Sequence, residues 1–180
     1  LITTIANQMN EPILYGIEID PKMADIARMN ASMQDYDMNI LLGDTLESHL
    51  TNMDLIVGDI PGYFIDKEKT MYFPYEAILY HKDSLKDDGY MFLIVPNDFF
   101  SHDTGFFKKA FDADMQMFGL LELPDNIFKE EKKCIILIQK SKVKKKNVLM
   151  VKIPDFNNQE LMNNTIRKIE EWFRGENYYD

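Results

Sequence analysis

Apolar residues recur along this chain in two rhythms that take turns. Short uninterrupted runs, ILYGIEI (13–19), MNILLGD (38–44), MDLIVGD (53–59) and DDGYMFLIVP (87–96), read as strands buried on both faces. Between them the apolar positions adopt helical spacing. In DPKMADIARMNASM, Asp20 is placed to cap a helix, Pro21 takes its first position, and Met23, Ile26, Ala27 and Asn30 form the expected inner stripe. A second helix is predicted over 74–86, with Ala77, Ile78, Tyr80 and Leu85 toward a sheet, and a third in GFFKKAFD (105–112). MFGLLELP (117–124) and KKCIILIQK (132–140) continue the strands, and VLMVKIP (148–154) reads as an edge strand. The tail NNQELMNNTIRKIEEWFRG is a last helix with Leu161, Ile166, Ile169 and Trp172 inward.

Strands alternating with helices predict an α/β fold: a mostly parallel sheet with an antiparallel strand near the C-terminal end and helices on both faces. No internal repeat or low-complexity linker interrupts it, so residues 1–180 read as one domain. The chain opens inside a helical pattern, with Leu1, Ile2, Ile5 and Met9 on one face of LITTIANQMN, as a piece of a longer polypeptide would.

Composition narrows the function classes. A chain of 180 residues, 46% of them hydrophobic, can bury a real core. Its 30 acidic residues outweigh 20 Lys and Arg, for a net charge of −10, which gives no support to non-specific binding of a polyanion. A lone Cys134 excludes a disulfide framework and fits a reducing cytoplasm. His49, His81 and His102 lack ligand spacing, so no metal is assigned, and no apolar run reaches membrane-span length. The lysines 140, 142, 144, 145 and 146 read as a phosphate contact or as a solvated edge. Tyr72, Phe73 and Tyr75 read as a substrate mouth or as packing under the next helix.

Acids stand at three successive strand ends: Glu18 with Asp20, then Asp44, then Asp59. In parallel α/β sheets, ligands bind beyond the carboxyl ends of the strands. Glu18 is suited to ribose hydroxyls, whereas Asp20 is better explained as a helix cap. Asp44 reads either as an acceptor for an adenine amine, with Leu42 or Thr45 against the ring, or as a turn acid before TLESHL. A nicotinamide dehydrogenase is disfavoured, because no G-x-G-x-x-G follows a strand.

The segments YGIEIDP, LLGD, VGDIPGYF, DDGYMFLIVPNDFF and GLLELPDNIFKEEKKCIILIQK together resemble class I S-adenosylmethionine-dependent methyltransferases of the N6-adenine-specific DNA methyltransferase-like group. They are similar to the modification subunits of type I restriction systems. The resemblance implies a Rossmann-like methyltransferase sheet whose first strand and glycine loop would precede Leu1, making 1–180 a partial catalytic domain. It implies S-adenosylmethionine as cofactor, contacted by Glu18, Ile19, Asp44, Thr45 and Asp59. DIPGYF takes the place of the family's [N/D/S]-P-P-[Y/F] motif, which implies catalytic roles for Asp59, Ile60, Pro61 and Tyr63 and substrate contacts from Tyr63, Phe64 and Asn97. Ile60 replaces the first proline and Gly62 the aromatic, so the stacking ring falls to Tyr63 or Phe64, with Tyr63 preferred. The implied reaction is methyl transfer to an exocyclic amine, adenine N6 of DNA first, with target recognition from an upstream segment or another subunit. Two alternatives stay open: amide-nitrogen methylation of a protein glutamine, and a methyltransferase-like protein that binds cofactor or a partner without turnover.

Overall fold

A computed structural model describes residues 1–103, 105–129, 131–143 and 147–176. They form two compact units, Leu1–Asn52 and Met53–Asp180. Lys144, Lys145 and Lys146 lie outside the described residues.

In the first unit a short helix α1 (Ile2–Ala6) precedes a strand–helix–strand element: β1 (Leu14–Glu18), α2 (Pro21–Ser32) and β2 (Met38–Leu42). β1 and β2 pair in parallel, from Leu14 opposite Met38 to Glu18 opposite Leu42. Asp20 caps α2 as expected, its Oδ1 accepting from the backbone N–H of Lys22 at 2.8 Å and of Met23 at 3.4 Å. The inner face of α2 differs from the predicted stripe. Ala24 and Ala31 are buried, while Met23, Ile26 and Asn30 are exposed and Ala27 is half-buried. Residues seven apart share a helix face, and two alanines there let the backbone lie close against the strands.

The second unit carries β3 (Met53–Asp59), α3 (Phe73–His81), β4 (Leu85–Pro96), α4 (Phe106–Phe111), β5 (Met115–Glu122), β6 (Lys133–Lys140), β7 (Leu149–Lys152) and α5 (Gln159–Glu176). Its sheet has the order β3-β4-β6-β5-β7. The pairs β3–β4 and β5–β7 are parallel, and β6 runs against both of its neighbours, β4 and β5. β7 is the edge strand that the apolar pattern predicted. The helix predicted over 74–86 ends at His81, a short 3-10 turn follows, and Leu85 opens β4 rather than closing the helix. Ala77 and Ile78 are buried, as expected of its inner face.

Helices cover both faces of this sheet, which is why β4 is apolar at every position from Tyr90 to Pro96. Met91, Leu93 and Val95 join Ile136 and Ile138 in a core with Tyr75 and Ile78 of α3 and Phe111 of α4. On the opposite face Phe118 of β5 lies against Tyr90 and stacks with Trp172 of α5 at 6.5 Å between ring centres. α5 turns Met162, Thr165, Ile169 and Trp172 inward; of the predicted stripe, Leu161 and Ile166 are exposed. Trp172 sets this rotation, because residues 162, 165 and 169 stand above it at steps of three and four. Among the described residues no helix is long and apolar enough to cross a membrane.

Candidate active site

The residues singled out by the sequence gather at strand ends in both units. In the first, the ends of β1 and β2 are tied by a hydrogen bond from Gly43 N–H to the Glu18 carbonyl, 3.0 Å. Glu18 uses Oε1 to accept from the Asp20 N–H at 2.9 Å, and its Oε2 has no partner among the described residues. Asp44 is exposed and its Oδ1 accepts from Leu46 N–H at 2.8 Å, so one oxygen serves the turn and the other stays open. Thr45 is half-buried, and Ile19 and Leu42 are exposed beside these acids. Two carboxylates with open oxygens, flanked by bare apolar side chains, fit the ribose and ring of a nucleoside: acceptors for hydroxyls and an amine, and a surface for a purine face.

In the second unit β3 delivers Asp59 and Ile60 to opposite faces. Ile60 packs against the core, and its N–H donates to the Ile94 carbonyl at 2.8 Å. In a parallel ladder the Ile60 carbonyl would next accept from residue 96. Residue 96 is proline and has no N–H, so β4 leaves that carbonyl unclaimed. Asp59 is half in solvent; its Oδ1 meets Lys133 Nζ at 2.7 Å, and its Oδ2 has no partner among the described residues. Two acceptors on consecutive residues thus lack a donor among the described residues at the end of β3.

The turn that follows is packed tightly. A Cβ on Gly62 would stand 2.6 Å from Pro96 Cγ and 2.9 Å from the Tyr72 hydroxyl oxygen. Glycine therefore sits where the resembling motif carries a ring because the backbone crosses Pro96 and Tyr72 too closely for a side chain. Tyr63 stacks on Phe73, with centres 4.6 Å apart and planes 13° apart, and is 47% exposed. Phe64 turns inward instead, against Tyr72 and edge-on to His102. Of the two rings of this turn, Tyr63 is the exposed one and Phe64 packs against the core. Asn97 is exposed just past β4, its N–H bound to the Lys132 carbonyl.

Tyr72, Phe73 and Tyr75 are buried, which answers the choice between mouth and packing in favour of packing. The Tyr72 hydroxyl has no hydrogen-bond partner among the described residues, and burial, with Asp98 and Glu131 nearby, pushes its pKa up. His102 Nε2 lies 3.0 Å from Asp98. Among the described residues no three His, Cys, Asp or Glu side chains gather as metal ligands would. Sequence reasoning passed over Lys133, 74 residues from Asp59, since no local pattern ties a strand-opening lysine to a distant acid. Pro96 could be read from the sequence as a missing backbone donor, but only the register with β3 makes Ile60 the residue that loses it.

A sheet with one reversed strand near its C-terminal end, helices on both faces and acids at the strand ends has the Rossmann-like fold of methyltransferases. A candidate class I S-adenosylmethionine-dependent methyltransferase from Listeria monocytogenes superimposes with TM-score 0.79 at 23% identity, over 96% of this chain and 59% of that one. The methyltransferase subunit of a type I restriction-modification system from Streptococcus thermophilus gives 0.67 at 16% identity, over 88% and 42%. At these identities the likeness is one of fold. The model of the N-6 DNA methylase family matches residues 1–180, and the chain belongs to that family. It is 30% identical to YtxK, an uncharacterised protein of Bacillus subtilis strain 168, over 98% of this chain and 60% of YtxK. The chain thus spans about three fifths of the curated relative that it matches.

Proposed function

We propose that the polypeptide containing this chain transfers a methyl group from S-adenosylmethionine to an exocyclic amine, with adenine N6 of DNA as the leading acceptor. The observation that carries this reading is the pair of unclaimed acceptors on consecutive residues, Asp59 Oδ2 and the Ile60 carbonyl. The lone pair of an adenine amine is delocalised into its ring, so the nitrogen is a poor nucleophile. Two acceptors drawing on its two N–H groups favour a pyramidal nitrogen and release the lone pair. The carboxylate then faces the positive charge that grows on nitrogen during transfer. Pro61 stiffens the turn so that both acceptors are aimed beforehand. The exposed ring of Tyr63 would stack on the base, with Phe64 behind the turn and Asn97 beyond β4. In duplex DNA the base must leave its stack to be held this way.

The cofactor, when bound, supplies an electrophilic methyl group on sulfonium sulfur. In the first unit Glu18 would hold the ribose hydroxyls and Asp44 the adenine amine, with Ile19 and Thr45 beside the ring. The net charge of −10 leaves target recognition to another part of the polypeptide or to another subunit. Residues 1–180 serve in this reading as one partial catalytic domain.

The test is incubation of the full-length polypeptide with isotope-labelled S-adenosylmethionine and duplex DNA, with digestion and mass spectrometry for N6-methyldeoxyadenosine. A glutamine-containing peptide runs in parallel. Label in N6-methyldeoxyadenosine that disappears in Asp59→Ala is the expected result. Label on the peptide alone would move the acceptor to an amide nitrogen. Calorimetric binding of S-adenosylhomocysteine that Asp44→Ala weakens, without transfer to either acceptor, would mark a protein that binds the cofactor without turnover.

A further inference from the structure

We propose that Lys133 is a positioning residue for the methyl acceptor: it locks the Asp59 carboxylate by one oxygen so that the other faces the target amine. This rests on the methyl-transfer reading above and adds to it a residue that the DIPGYF motif does not contain.

The geometry comes from the sheet. Asp59 pairs with Ile94, and Ile94 with Ile135, so these three residues share one face. Lys133 lies two residues from Ile135 on β6 and projects from that same face. β4 separates β3 from β6, a distance of about 10 Å at ordinary strand spacing. The extended lysine side chain and the short aspartate together cross that gap, and Nζ arrives 2.7 Å from Oδ1. The ring of Phe128 lies 5.0 Å from the same ammonium group. Phe128 closes the segment Leu123-Pro124-Asp125-Asn126-Ile127-Phe128, so the loop before β6 seats the lysine that β6 presents.

Burial argues that this pair is not surface decoration. The Lys133 side chain is 14% exposed, the most buried cation among the ion pairs of the described residues. Taking an ammonium group out of water is costly, and a pair of this kind is weak evidence for stability. The cation–π contact offsets part of that cost. What the pair supplies is orientation. Asp59 sits at a strand end with its side chain 45% exposed, and a free carboxylate there would rotate and hydrate. Held at Oδ1, it keeps Oδ2 as the open acceptor on the residue that precedes Ile60. The choice of side chain also matters, because a lysine binds as a point charge through one contact and leaves the second oxygen unclaimed.

The experiment measures kcat and KM for duplex DNA in the full-length polypeptide, comparing wild type with Lys133→Met and Lys133→Arg. Methionine retains an unbranched stem against Phe128 and removes the charge, and thermal denaturation of each variant checks its fold. The proposal expects Lys133→Met to lower kcat by roughly ten- to a hundred-fold with KM little changed, as for a misaimed acceptor. Lys133→Arg, whose guanidinium can engage both carboxylate oxygens, should keep the ion pair yet leave kcat below wild type, and full wild-type kcat in that variant overturns the single-contact lock. Wild-type activity with an unchanged kcat in folded Lys133→Met overturns the positioning role alone. A parallel rise of KM with intact kcat also overturns it, making Lys133 a substrate-binding cation. An inactive wild type overturns the methyl-transfer reading and this inference with it.

Discussion

At position 62 the backbone passes within 2.6 Å of Pro96 and 2.9 Å of the Tyr72 hydroxyl, measured from where a Cβ would stand. Neither neighbour is the loose end of a flexible chain, since one is a proline ring and the other a phenol buried in the core. Gly62→Ala should therefore destabilise the second unit by roughly 1–3 kcal/mol, the usual cost of overpacking. Urea denaturation followed by tryptophan fluorescence at Trp172 would measure it, and an unchanged midpoint would mean that the turn moves aside freely. The same crowding explains how the turn departs from its family pattern. The aromatic is displaced from the crowded position to Tyr63, whose ring stacks on Phe73.

The element that carries Tyr63 and Phe64 is a small hairpin whose base is the bridge between Phe64 and Tyr72. Its loop is knotted by one side chain. Asp66 accepts from the Thr70 hydroxyl at 2.6 Å and from the backbone N–H groups of Thr70 and Met71. The Thr70 hydroxyl is the main cause holding the Asp66 carboxyl down at about 2, below its ordinary 3.8. A carboxyl depressed by folding stabilises the hairpin above its ordinary value and loses that contribution as pH falls through about 2. Amide chemical shifts of Thr70 and Met71 should accordingly titrate with a midpoint near 2 in the folded protein. Thr70→Val should raise that midpoint toward 3.8, and a midpoint that does not move would remove the hydroxyl as the cause.

Across the second unit, stability is concentrated where β4 and β6 lie between helices on both faces. Cys134 is buried in this layer, and burial, with Glu122 nearby, pushes its thiol up to about 11. A thiol in that state is a poor nucleophile, so at pH 8 a disulfide reagent should leave Cys134 unmodified until the unit opens. Ile136→Ala removes a side chain that is 1% exposed at the centre of the core and should cost about 2–5 kcal/mol. In that variant Cys134 labelling should begin at a correspondingly lower urea concentration. Fast labelling of the folded wild type would show that the sheet opens locally without global unfolding.

The α/β order, the seven strands of the described residues and the cap at Asp20 were legible in the sequence because each is a local event. A run of apolar residues, or an acid before a proline, carries its physical consequence within a few residues. Helix rotation was not legible for α2 and only half legible for α5, where Ile169 and Trp172 turn inward as predicted but Leu161 and Ile166 do not. Methionine and isoleucine occur on several sides of each helix, and which residues turn inward depends on the surface they meet. That surface favoured Ala24 and Ala31 in one helix and Met162, Thr165, Ile169 and Trp172 in the other. The site divides in the same way. Asp59, Ile60 and Tyr63 could be read from one turn, but the free carbonyl of Ile60 needed Pro96 beside it in the ladder. The lock on Asp59 needed Lys133 from two strands away. Local sequence determines which chemical groups stand at a strand end, and only strand order and register decide which of their atoms remain unpaired.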